Sequence, residues 1–382
     1  MTNFEPKPSN YFFNTLKDSG SIIMATNLRI LNGVAHGVFR AAKKMDAVFL
    51  VELAKSECDL TGGYTGLTPE KLSKMTRAIA EDVKFDMWGL HADHITLKKG
   101  NLEEIKEVQD LIDAQVKAGY TSFAIDASFL FNVNGKTTEE CLAKNIEVTS
   151  RMVKYVKNKM NDKEFGLEVE VGEIGYHDGQ GKVKTKPEEA VTFLQGLKEQ
   201  DVFPNVLAIA NGSAHGNNYD LQGNLMAQLS IDISQTQAVA KAIRTAGLDV
   251  RIAQHGITGT PRELIRTLFP HKDVLKGNVG TFWQNIVWDT LKVYEPDLHQ
   301  RMCAWTMEKF KEDAVKKGLK TEPQILGLYG KNATKEFFDE LYSLRESTVQ
   351  ALESVAYSEA LLFFEAFQAQ GSAEKVRRTM FK

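Results

Sequence analysis

Imidazoles and carboxylates gather in four short stretches of this 382-residue chain. MWGLHADH carries His91, Asp93 and His94, LEVEVGEIG carries Glu168 and Glu170, VLAIANGSAHG leads to His215, and VRIAQHG leads to His255. Each is an apolar run that closes on His, Asp, Glu or Gly, so the polar groups fall where a buried strand meets solvent. A single histidine at a strand end commonly does no more than bond the backbone of the loop it begins. Four of the chain's 8 histidines in such places, beside two glutamates and an aspartate, read instead as a site for zinc or a similar divalent ion. His36, His271 and His299 stand in helical or loop contexts without such neighbours and read as structural. His177, on a glycine-rich loop, is open to both readings.

Elements of a particular kind must bring these segments together. Eight β-like runs alternate with longer helical stretches: SIIMATN, AVFLVELA, MWGLHADH, SFAIDAS, LEVEVGEI, VLAIANG, VRIAQHG and VLKGNVG. They lack strict polar alternation, as strands buried on both faces do. Eight strand-helix units predict a TIM (β/α)8 barrel, an α/β fold whose active site lies at the carboxyl ends of the strands, where the histidines and acids fall. Over 102–118, Leu102, Ile105, Val108, Leu111, Ile112 and Val116 make one helical stripe, with Asn101 as cap and Gly119 as stop. Thr260-Pro261-Arg262-Glu263 predicts a capping box directly after HGITG, where a helix amino terminus would favour an anion. The chain divides into an N-terminal segment (1–20), the barrel (21–290) and a helical C-terminal extension (291–382). In the extension Phe337, Leu341 and Leu344, then Leu361, Leu362, Phe363, Phe364 and Phe367, are too apolar for a solvated helix. They must dock on the barrel helices or on another subunit.

Composition narrows the partners. A net charge of −3 and a pI near 6.3 supply no basic field for nucleic acid, so the expected partner is a small molecule. No stretch approaches the roughly 18 apolar residues of a membrane span, and MTNFEPKPSNYFF lacks the positive-then-apolar order of a signal peptide. Three scattered cysteines, Cys58, Cys141 and Cys303, make neither a disulfide framework nor a thiolate zinc site, which fits the cytoplasm.

HADH, EVEVG, NGSAHG and QHGITG, in this order and at these intervals, resemble the metal and substrate motifs of the class II ketose-bisphosphate aldolases over roughly residues 20 to 290. GGYTGLTPE, residues 62 to 70, is similar to a segment of the large subunit of tagatose-bisphosphate aldolases, an arm of the same superfamily sometimes regarded as non-catalytic. The resemblance implies that His94, His215 and His255 hold zinc or another divalent metal. It implies Glu170 as a conditional ligand, with Glu168 able to support or replace it, and His91 behind the ligands. Asp93 would be the acid-base group on the aldehyde oxygen. A carboxylate from the loop after the fifth strand would move the carbon-bound proton. Within GEIGYHDGQG, Asp178 is nearest that position, one methylene shorter than the family's glutamate, with Glu173 and His177 as substitutes. Gly216, Gly256, Thr258, Asn278 and Thr281 match the phosphate positions, and the resemblance allows a monovalent cation as a second cofactor. Asn278-Val279-Gly280-Thr281 departs from the family by lacking an aspartate between asparagine and threonine.

The activity so implied is reversible cleavage of a phosphorylated ketose, fructose or tagatose bisphosphate first among them, to dihydroxyacetone phosphate and an aldehyde, in a homo-oligomer. The same barrel also suits a metal-dependent sugar epimerase or isomerase, and GGYTGLTPE suits a non-catalytic subunit. The intact His94, His215, His255 and Asp93 set speaks against the last.

Overall fold

The computed structural model describes residues 4–172 and 183–380. The eight predicted runs are strands: β1 (Ile23–Asn27), β2 (Phe49–Ala54), β3 (Trp88–Thr96), β4 (Ser122–Asp126), β5 (Gly166–Glu170), β6 (Val206–Ala208) and, after a two-stranded hairpin of β7 (Asn218–Tyr219) and β8 (Leu225–Met226), β9 (Arg251–Gln254) and β10 (Val274–Val279). All eight pair in parallel, and β10 returns to β1 with Asn278 opposite Ala25, closing a barrel in the order β1-β10-β9-β6-β5-β4-β3-β2. Helices cover its outside and the strands' own side chains fill its inside, which is why the runs show almost no exposed position. The β7–β8 hairpin has no counterpart among the predicted runs. Its turn is tied by Asp220, which accepts from the amides of Gln222 (2.9 Å) and Asn224 (2.8 Å), and its strands are too short and exposed to leave a burial pattern.

The helix Leu102–Lys117 forms where predicted, the Asn101 side chain accepting from the Glu104 amide at 2.9 Å and Gly119 leaving the helix at a φ of +82°. Leu102 is 76% exposed, so the buried stripe begins at Ile105. The expected capping box at Thr260 is not formed. Pro261 is extended (ψ 136°) and takes the cap position itself, so the helix begins at Arg262 and Thr260 is one residue too early for its hydroxyl to reach the first turn. That hydroxyl is buried without a hydrogen-bond partner.

Both ends of the chain pack on the barrel. The helix Ser9–Leu16 buries Phe12, Phe13 and Leu16 beneath it, held by Lys7 N to Trp88 O (2.7 Å) and Ser9 N to Thr121 O (3.2 Å). After β10 the helix Thr281–Tyr294 leads into an excursion of helices Pro296–Lys309, Lys311–Lys316 and Glu322–Tyr329 and short turns, and the chain returns as the long helix Glu346–Ala366. This helix lies along the helix Val34–Met45 and touches Thr281–Tyr294 and Arg262–Leu268, completing the outer ring. The approach is close: a Cβ at Gly37 would stand 2.7 Å from Tyr357 N and 2.8 Å from the Ala356 methyl. Phe363 packs on Phe282 (5.1 Å between ring centres), and Phe364 on Phe49 (6.3 Å), so the apolar patch predicted there docks on the barrel. Among the described residues no helix is long and apolar enough to cross a membrane.

Candidate metal and substrate site

A cavity of about 490 Å³ opens at the carboxyl ends of the strands. Asp93, His94, Glu170, His215, Gly216, His255, Gly256, Thr258, Asn278 and Thr281 all line it. Asp178, with Glu173 and His177, lies outside the described residues. His36, His271 and His299 do not line it. His271 bonds two backbone carbonyls, Gly20 O and Ile265 O, each at 3.1 Å, as a structural histidine does.

Asp93 and His94 are adjacent on β3, and a regular strand would send one inward and the other outward. The β3–β4 pairing slips between Ala92 and Ile95, and His94 takes a φ of +38°, a region unfavourable for a residue with a side chain. This local distortion lets both residues face the cavity. The ring of His94 lies 4.5 Å from that of His255 and 5.3 Å from that of His215, and one nitrogen from each of the three falls within 4.8 Å of the others. The loops bearing His215 and His255 touch at Gly256, where a Cβ would lie 2.6 Å from Ala214 O at a φ of +67°.

Carboxylates fix one nitrogen of two of these rings. His94 Nδ1 lies 3.0 Å from Glu170 Oε2 and 3.4 Å from Asp126 Oδ2, while His94 Nε2 is buried with no hydrogen-bond partner. His255 Nε2 lies 2.7 Å from Glu168 Oε1, which leaves Nδ1 as its ligand atom. Glu168 and Glu170, two residues apart on one face of β5, thus serve different histidines. An orphaned buried imidazole nitrogen beside two further imidazoles, backed by carboxylates, fits a divalent ion with coordination positions left open. Burial opposes a charged His94, but Asp93, Glu170 and Asp126 outweigh it and hold its pKa well above the ordinary value. Burial and Asp126 raise Glu170 to about 8 against the pull of His94. Without a cation this cluster keeps protons that a bound cation would displace.

Beneath the cavity the barrel interior is charged. Lys276 Nζ, fully buried on β10, pairs with Glu168 Oε2 (2.7 Å) and Glu52 Oε2 (2.9 Å). Burial and Asp93 push the pKa of Glu52 well up against the pull of Lys276, whereas Lys276 and the bonded histidines outweigh burial and hold that of Glu168 well down. His91 stands behind the ligands, its Nδ1 2.7 Å from Ser122 Oγ and its Nε2 3.4 Å from Glu168 Oε2. Asp93 accepts from the side-chain amides of Asn27 (3.1 Å) and Asn278 (3.3 Å) and is nearly fully buried. Burial alone would raise its pKa, but His94, Lys276 and His255 hold it below the usual carboxylate range.

Over residues 8–331 the sequence matches the family described as Fructose-bisphosphate aldolase class-II. The chain belongs to this family. No curated protein matches it. Among solved structures it is similar to the fructose-bisphosphate aldolase of Campylobacter jejuni, with a TM-score of 0.61, 18% identity and 95% of each chain covered. It is also similar to the YdjI aldolase of Escherichia coli K12 (TM-score 0.58, 15% identity, 96% of this chain and 99% of that one). A further likeness is to a probable tagatose 6 phosphate kinase of Sinorhizobium meliloti 1021 (TM-score 0.59, 17% identity, 94% and 98%). At these identities the structures share the fold.

This class II aldolase-family chain also brings residues to the site that its sequence motifs do not mark. Asp126 closes the run SFAIDAS, and Lys276 interrupts VLKGNVG; a charged residue inside or ending a strand buried on both faces was the signal for each. Asn27 closes the run SIIMATN at the end of β1, whereas Arg29, Tyr64 and Lys331 come from loops and turns without a local pattern. Arg29 Nε bonds Glu57 Oε1 at 2.7 Å, and its Nη1 reaches Thr281 Oγ1 (3.2 Å) and Gln284 Oε1 (2.9 Å). GGYTG wraps around Glu57, placing Tyr64 Oη 2.7 Å from Glu57 Oε1. The segment that resembled a tagatose-bisphosphate aldolase subunit therefore contributes Tyr64 to the lining of the cavity.

Proposed function

We propose that this chain is a divalent-metal-dependent aldolase that reversibly cleaves a phosphorylated ketose, of the fructose- or tagatose-bisphosphate kind, to dihydroxyacetone phosphate and an aldehyde. The observation that carries this reading is the convergence of His94, His215 and His255 next to Asp93 in one cavity. His94 Nε2, His215 and His255 Nδ1 would hold the ion, which when bound supplies electrophilic stabilisation of the negative charge that develops on the ketose oxygens. Asp93, ionised and oriented by Asn27 and Asn278, takes the proton from the hydroxyl of the carbon that becomes the aldehyde. The carbon-carbon bond then breaks with its electron pair moving to the ketone fragment. A carboxylate of the 172–181 loop, Asp178 by sequence, returns a proton to that carbon. The amides of Gly216 and Gly256 and the hydroxyls of Thr258 and Thr281 receive a phosphate, near the amino end of the helix Thr281–Tyr294.

The test is product analysis with the zinc-, cobalt- or manganese-loaded protein on fructose and tagatose bisphosphates, the one-phosphate ketoses and free ketoses. Two smaller fragments support an aldolase, an isomeric sugar an epimerase, and no conversion a supporting subunit. About one divalent ion per chain is expected after purification, zinc first. Elemental analysis checks it: His215→Ala and His255→Ala should each lose most of the metal, and full retention in both would remove the basis of the site.

A further inference from the structure

The segment GGYTG folds tightly against the loop that follows β2. A Cβ at Gly63, where φ is +52°, would stand 2.4 Å from the backbone carbonyl carbon of Glu57 and 2.5 Å from its oxygen. The buried Thr65 donates its hydroxyl to Glu57 O at 2.6 Å, and the Tyr64 amide donates to Ser56 O at 3.1 Å. Glu57 is thus gripped by its backbone as well as by the Tyr64 hydroxyl. Its buried carboxylate accepts from Arg29 Nε and Tyr64 Oη on Oε1, and from the Ala54 amide (2.9 Å) and Asn27 Nδ2 (3.1 Å) on Oε2. Burial alone would raise its pKa, but Arg29, the Ala54 amide and Tyr64 outweigh it and hold it below the ordinary value.

The nitrogen of Asn27 that donates to Glu57 also donates to Asp93 Oδ2, again at 3.1 Å. One buried amide therefore lies between two carboxylates. An ionised carboxylate only accepts, so the nitrogen end of that amide must face both and the oxygen must turn away. The second donor to Asp93 is anchored in the same manner, since Asn278 Nδ2 also bonds Glu52 Oε1 at 2.7 Å. We propose that Glu57 is a positioning residue: through the Asn27 amide it fixes the orientation of the Asp93 carboxylate, and GGYTG is the clamp that keeps Glu57 in place. Its part in ketose cleavage rests on the aldolase reading. Glu57→Gln has nearly the same shape but cannot accept at both ends. Arg29 and Tyr64 claim its oxygen, its NH2 turns to Asn27, and Asn27 must then rotate and set its own oxygen against Asp93.

The experiment is a double-mutant cycle on the full-length, zinc-loaded protein, with kcat and KM measured on the bisphosphate it cleaves fastest. Glu57→Gln should lower kcat roughly tenfold with KM within about twofold of the wild type. In an Asn27→Ala background the same change should lower kcat less than about twofold, because the amide through which Glu57 acts is gone. An equal fall in both backgrounds would overturn the proposal, as would a Glu57→Gln protein with wild-type kcat or one changed in KM alone. Tyr64→Phe removes one donor and leaves the charge, so it should lower kcat in the same direction, again only when Asn27 is present, and it decides the matter if Glu57→Gln does not fold. A second readout needs no turnover. The Asn27 side-chain amide, identified in a nitrogen–proton correlation spectrum by its absence from Asn27→Ala, should exchange with water at least roughly tenfold faster in Glu57→Gln or Tyr64→Phe than in the wild type. If the wild type cleaves no ketose the aldolase reading fails, while unchanged amide exchange would show that Glu57 does not hold Asn27.

Discussion

Asp93 and His94 owe their joint use to a slipped register, and that separates what they do from what either would do alone. The sequence names both residues because they end an apolar run, but a strand's alternation gives no reason for neighbours to share a face, and the bulge that overrides it is a tertiary event. Asp93→Asn keeps the shape and one of the two contacts to the asparagines, which reach different carboxylate oxygens, but cannot take a proton. Turnover should drop by roughly a hundredfold or more while metal content, read by elemental analysis, stays near that of the wild type. Wild-type cleavage rates in this variant would refute the role. The raised pKa values of His94 and of Glu170, the latter about 8, set a sign for metal binding. The protonated cluster is the stable metal-free form below these values, so the ion competes with protons: affinity should fall as pH is lowered, and binding near neutrality should release protons. Competition with a chromogenic chelator across that range checks this, and a flat profile would contradict it. Lys276 was unforeseeable as a partner, since nothing local shows that Glu52 and Glu168 face it across the barrel. Lys276→Met strands an ionised Glu168 in the interior and should cost about 3–5 kcal/mol of stability in denaturant titration; a loss under about 1 kcal/mol would mean that the Glu168 charge is balanced elsewhere.

The strands were readable as elements because burial on both faces writes an uninterrupted apolar run, the strongest short-range signal this chain contains. Elements held by turn chemistry were less so: the β7–β8 hairpin depends on one aspartate, and Pro261 moved a helix start by one residue through its own extended backbone. The pairing of the helices Val34–Met45 and Glu346–Ala366 was illegible for another reason. Gly33 and Gly37 fall one turn apart, but their meaning lies in Val349, Leu352 and Glu353, which meet them from the far end of the chain. Gly37→Val should therefore drive the helices apart at a backbone contact that cannot yield, destabilising the protein by about 3 kcal/mol or more. Thermal unfolding measures it, with exposed Lys44→Val as a control expected within about 0.5 kcal/mol of the wild type. A Gly37→Val protein as stable as that control would show the contact to be dispensable.

At the scale of the whole molecule, the hairpin region leaves Leu221, Leu225, Met226 and Leu229 between 50% and 83% exposed, more apolar surface than one loop of a monomer ordinarily shows. This supports the proposal of a homo-oligomer. Light scattering after size exclusion should give a multiple of the 42.7 kDa chain mass, reduced by Leu225→Asp with Met226→Asp; a monomer at micromolar concentration would remove that support. The outer ring has a different consequence, in time rather than space. Its closing helix is Glu346–Ala366, made long after the strands it covers, and Phe363 and Phe364 seal helices and strands from both ends of the barrel sequence. A chain emerging from the ribosome would expose the outer apolar surface of β1, β2 and β10 until the helix Glu346–Ala366 had cleared the exit tunnel. Folding would then wait on synthesis, with exposure to chaperones and proteases lasting until that helix emerges. Nascent chains stalled before residue 346 should be digested readily, and those stalled with residues 346–380 wholly outside the tunnel should resist.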